Sequence, residues 1–67
     1  MSTCTQTIPN VRSNSIGFML FCKNASYITD DVQTKIKTSS LPFEIVLSDT
    51  LKIKVDAEGT LRVYQKN

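Results

Sequence analysis

A chain of 67 residues, 40% hydrophobic and 21% charged, suits one small globular domain and is too apolar for a disordered segment. Its longest apolar run, Ile16 to Phe21, is far short of the roughly 20 residues a helical membrane span requires, so no membrane partner is expected. The net charge of +2 is mild, and there is no histidine to serve as the usual acid or base near neutral pH.

A chain this short buries only about 60% of the surface that its unfolded form exposes. Extra stability must come from a disulfide, a metal or association. Cys4 and Cys22 are too far apart in sequence for a CxxC pair, and two thiolates do not complete a tetrahedral metal site. Free thiols are the preferred reading, which leaves self-association as the expected source of stability. The opening "MSTCTQTIPN" has neither a basic leader nor an apolar core, so a cytoplasmic location is expected.

Residues 1–15 are polar, with Pro9 and the Asn/Ser-rich "NVRSNS", and read as a flexible or irregular arm with a short extended piece near Ile8 to Val11. Residues 16–67 read as a single small β domain. Its first segment, "IGFMLFCK", is apolar at both parities: Ile16, Phe18, Leu20 and Cys22 on one, Met19 and Phe21 on the other. As a central strand it requires cover on both faces, which makes Met19 and Phe21 the candidate self-association residues.

The segment "ASYITDDVQTKIKTSS" supports two readings. As a strand it places Gln33, Lys35 and Lys37 on one face, and its β-branched content favours this reading. As a short helix at about 29–38 it aligns Ile28, Val32 and Ile36, with Asp30 as cap and Gln33 three places on. "LPFEIVL" is a clearer strand, with Phe43, Ile45 and Leu47 on its inner parity, and "SDT" closes it as a turn.

"LKIKVDAEGTLRVYQ" is a hairpin. Asp56 opens a type I turn and Gly59 takes the left-handed position, which pairs Val55 with Leu61, Ile53 with Val63 and Leu51 with Gln65. On the opposite face Lys54 then meets Arg62 and Lys52 meets Tyr64. Like charges directly across a ladder destabilise it by up to about 1 kcal/mol. If "VQTKIKT" is a neighbouring strand, Lys35, Lys37, Lys52, Lys54, Arg62 and Tyr64 share one basic surface with an aromatic, the equipment of a nucleic-acid-binding sheet. The plainer and preferred reading is a solvated face, kept soluble by lysine and partly neutralised by Glu44.

Chemistry has little to stand on. The adjacent carboxylates Asp30 and Asp31 suit a cap or turn better than an acid/base pair. Cys22 sits in an apolar run, and two glycines make no phosphate-cradling loop. No catalytic, metal-binding or cofactor-binding residue is assigned, and no cofactor or enzymatic activity is expected. The expected architecture is mainly β: a single antiparallel sheet or barrel-like domain of four to five strands, with a core of Ile16, Phe18, Leu20, Phe43, Ile45, Leu47, Ile53, Val55, Leu61 and Val63. The expected function is that of a non-enzymatic interaction module that forms a homo-oligomer and binds a protein partner through its assembled surface. The alternative is a nucleic-acid-binding β module using the basic sheet face. Short β-rich chains of this composition are common among phage and viral accessory proteins, an analogy of composition alone.

Overall fold

The computed structural model describes residues 2–66. Its elements in chain order are β1 (Ser2–Ile8), α1 (Ser15–Asn24), α2 (Asp30–Thr38), β2 (Phe43–Val46), β3 (Leu51–Val55) and β4 (Leu61–Lys66). The strands form one antiparallel sheet in the order β1-β4-β3-β2, the mainly-β domain expected, with four strands and two open edges rather than a barrel. The two helices carry the chain from one edge of the sheet to the other and cover one of its faces.

The hairpin is the best example of local sequence setting structure. Gly59 has φ +88°, its N–H donates to the Asp56 carbonyl at 3.0 Å, and the Asp56 N–H donates to the Thr60 carbonyl at 3.1 Å. Asp56 Oδ1 accepts from the N–H groups of Glu58 and Thr60, both at 3.0 Å, so the aspartate side chain locks the turn it begins. Val55 pairs with Leu61, Lys54 with Arg62, Ile53 with Val63, Lys52 with Tyr64 and Leu51 with Gln65. Every pairing follows from the turn type.

Helix α1 replaces the strand read at Ile16–Lys23. Asn14 caps it, its side chain accepting from the Gly17 N–H at 3.1 Å. Phe18, Phe21, Cys22 and Ala25 then fall at i, i+3, i+4 and i+7, and this is the face turned to the core. Ile16 and Leu20, expected in the core, are exposed, and Phe21, expected at an interface, is only 2% exposed. A run apolar at nearly every position satisfies both periods, and the helix wins because the sheet needs a cover that a fifth strand could not supply.

Segment 30–38 takes the helical alternative rather than the strand. Its cap is Thr29, one residue earlier than Asp30, with the hydroxyl accepting from the Val32 N–H at 3.3 Å. Asp30 and Asp31 lie in the first turn and Lys35 and Lys37 in the last, each sign where the helix dipole favours it. Ile28, Val32 and Ile36 are buried together against the sheet.

Residues 2–8 form an edge strand rather than an irregular arm. β1 runs along β4 with a bulge between Cys4 and Gln6, and Ile8 is buried opposite Leu61. The strand reads as polar because most of it lies at an edge, with only its last residue in the core. The link to α1 turns at Asn10, whose φ of +50° asparagine tolerates, and is pinned where the Val11 N–H donates to the Gly59 carbonyl at 2.9 Å. The core thus joins Val11, Phe18, Phe21, Ile28 and Ile36 to Ile53, Val55, Leu61 and Val63, with Phe43, Ile45 and Leu47 half-buried at its rim.

Candidate functional site

The uncovered sheet face presents Lys52 and Lys54 from β3, Arg62 and Tyr64 from β4, and Glu44 from β2. Its like charges are disposed so that they do not meet. Arg62 Nη1 donates to Asp56 Oδ2 at 2.8 Å, towards the turn. Glu44 Oε2 lies 3.6 Å from Lys52 Nζ and 3.9 Å from Lys54 Nζ, towards the β2 edge. The Lys52 ammonium stands 6.0 Å from the centre of the Tyr64 ring. Two carboxylates therefore engage these three cations, while Lys66, which alternation along β4 places on the same face, has no carboxylate partner among the described residues. The Arg62 hydrogen bond, with the turn amides, holds the Asp56 carboxyl below its ordinary value. A phosphate backbone approaching this face would have to displace those partners.

Lys35 and Lys37 do not join it. Both belong to α2, in the layer that covers the opposite side of the sheet. The six residues read as one basic surface are thus divided between two sides of the molecule, four on the sheet and two on the helix.

The other unusual surface is on α1. At about 100° per residue, Ile16, Met19, Leu20 and Lys23 form a stripe opposite the buried face. Ile16 is 69% exposed, Met19 62% and Leu20 52%. α1 is therefore apolar on two faces, one covered by the core and one open. Of the two residues expected to mediate association, Met19 is exposed and Phe21 is not.

Between α1 and α2 runs a half-open groove of about 720 Å³. Val11, Phe18, Met19 and Cys22 supply its apolar lining, while Arg12, Lys23 and Lys37 supply its charge. Ser15 and Gln33 complete the lining, and no carboxylate contributes to it. Among the described residues the salt bridges are those of the sheet face and the hairpin turn, and none involves these three cations. Arg12 is held by the C-terminal end of α2: Nε donates to the Ile36 carbonyl at 2.9 Å, Nη2 donates to the Ser39 carbonyl, and the guanidinium lies 5.9 Å from the Phe43 ring centre. The Lys37 ammonium stands 5.6 Å from the centre of the Phe18 ring. Burial raises the Cys22 thiol above its ordinary value, and nearby Lys37 offsets this in part.

Arg12, Lys23, Ile16 and Leu20 were not among the residues the sequence reading assigned to a binding surface. The signal was present in the recurrence of 16, 19, 20 and 23 beside 18, 21, 22 and 25, two interleaved helical stripes that a period-two reading merges into one strand. Both thiols are free, Cys4 exposed on β1 and Cys22 half-buried in the groove. No group of three or more His, Cys, Asp or Glu converges among the described residues, and none of their helices is long and apolar enough to cross a membrane. The chain matches no family model, no curated protein and no solved structure.

Proposed function

We propose that the chain is a non-catalytic protein-interaction module that self-associates through the outer face of α1 and binds another protein through the surface so assembled. The observation that carries this reading is the exposed stripe of Ile16, Met19 and Leu20 on a helix whose opposite face already meets the core. Contiguous apolar surface rimmed by polar residues is characteristic of protein contact sites. Pairing two copies of α1 would also supply apolar burial that a domain of this size lacks by itself. A nucleic-acid role gains no comparable support, because Glu44 and Asp56 engage Lys52, Lys54 and Arg62, and Lys35 and Lys37 lie on the other side of the sheet.

Size-exclusion chromatography with light scattering tests the proposal. The wild type is expected to be a dimer or larger at micromolar concentration. Met19→Glu/Leu20→Glu is expected to be a monomer with an unchanged circular dichroism spectrum. A monomeric wild type would end the self-association reading.

A further inference from the structure

We infer that the groove between α1 and α2 binds an acidic segment of a partner protein, one that places an apolar side chain among Val11, Phe18, Met19 and Cys22 and carboxylates against Arg12, Lys23 and Lys37. The inference rests on the α1 reading above and adds the chemistry of the partner. Three observations combine. The groove has the volume of a side-chain or ligand pocket and an apolar lining. Its three cations converge on one apolar lining and have no carboxylate partner among the described residues, whereas Lys52, Lys54 and Arg62 of the sheet face do. The groove is also continuous with the exposed stripe, because Met19 and Lys23 border both.

Charge complementarity decides the occupant. A second copy of α1 can cover the stripe, but the helix "SIGFMLFCKN" contains no acidic residue to meet the cations of the groove. A nucleic acid would satisfy the cations with phosphate yet leave the apolar lining unused. An acidic segment with embedded leucine or phenylalanine uses the cations and the lining together. Arg12 is positioned in advance by the Ile36 and Ser39 carbonyls, which reduces the ordering cost of contact.

Fluorescence polarisation at low and moderate salt tests this on the full chain with three labelled probes. These are a Glu-rich peptide carrying leucine and phenylalanine, its counterpart with lysine for glutamate, and a single-stranded oligonucleotide of equal charge to the acidic peptide. The acidic peptide is expected to bind, more weakly as salt rises, and the lysine peptide is not. Lys23→Glu/Lys37→Glu should weaken binding by about tenfold or more. Lys54→Glu, on the far side of the sheet, should leave it unchanged. Thermal melts of each variant establish that it is folded.

Absence of acidic-peptide binding at low salt, equal binding of the lysine peptide, tighter binding of the oligonucleotide, or indifference to Lys23→Glu/Lys37→Glu would each overturn the inference. Light scattering on the same samples separates the two proposals. A monomer that still binds the acidic peptide overturns self-association alone, and an oligomer that does not bind it overturns the groove alone.

Discussion

Arg62 donates to Asp56 across 2.8 Å, and this contact is what lets Arg62 sit directly opposite Lys54 in the β3–β4 ladder. The aspartate is also the residue that locks the hairpin turn, so one carboxylate both sets the register and removes the repulsion that the register creates. Lys54 turns the other way, to Glu44. The charges of Lys52, Lys54 and Arg62 are thereby compensated within the fold, whereas Arg12, Lys23 and Lys37, the cations of the groove between the helices, have no carboxylate partner among the described residues.

The Asp56–Arg62 pair makes stability depend on acid pH. The Arg62 hydrogen bond and the Thr60 and Glu58 amides hold the Asp56 carboxyl below its ordinary value of 3.8. A depressed carboxylate contributes its full stabilisation above its unfolded value and loses it as pH falls through the folded one. Asp56→Asn keeps the side-chain oxygen for the turn amides but loses the charge. Melting temperatures of wild type and variant should therefore differ most above the ordinary value of 3.8 and draw together as pH falls below it, through the folded one. A gap that is constant with pH would show that Asp56 titrates no differently in the folded and unfolded states.

Cross-strand pairing alone would favour Arg62→Glu, which places an anion opposite Lys54. The structure reverses that expectation, because the new carboxylate would face Asp56 and leave the turn without its cation. The variant should melt below wild type at pH 7. Melting at a higher temperature would mean that the Lys54 contact outweighs the Asp56 one.

The two faces of α1 predict opposite outcomes at neighbouring positions. Phe21→Ala empties a fully buried site and should cost about 3–5 kcal/mol, most of the stability of so small a domain. Leu20→Ala, on the exposed stripe, should change monomer stability by no more than about 0.5 kcal/mol. Urea unfolding at concentrations too low for assembly measures both. Similar costs at the two positions would contradict the helical assignment.

Gly59→Ala should destabilise by about 1–2 kcal/mol. A Cβ there meets nothing within 4 Å, so the cost comes from φ +88° and not from a clash. Gly59→Asn should cost less, since asparagine tolerates the left-handed region. A lower urea midpoint with unchanged slope for alanine, and a smaller drop for asparagine, is the expected pattern. An asparagine variant less stable than the alanine one would point to a packing role instead.

Thiol labelling at mildly alkaline pH should be biphasic, with Cys4 fast and Cys22 slow. Cys4 is exposed, whereas burial raises the Cys22 thiol and limits access. Lys37→Met removes the neighbouring cation that opposes the shift and should slow Cys22 further. Equal rates for both cysteines would contradict the packing of α1 on α2.

What could be read from sequence and what could not differ in physical origin. The hairpin was legible because its determinants are local: Asp56 and Gly59 admit one turn, and the turn imposes the register. The inner parity of β2 was legible for the same reason, with Phe43 and Ile45 turned towards the core. The basic groove was not, since Arg12, Lys23 and Lys37 come from three separated segments.

The hairpin, its register and the inner face of β2 follow from the amino acids alone, because they depend on contacts between residues close in sequence. Packing across the chain made Ile16–Lys23 and Asp30–Thr38 helices and residues 2–8 a strand, because the two runs each satisfy two periodicities and β1 pairs with residues at the far end of the sequence. That packing buried Phe21 and exposed Ile16 and Leu20. It also moved Lys35 and Lys37 away from the sheet face and brought Lys37 to a groove whose cations have no acidic partner within the described chain.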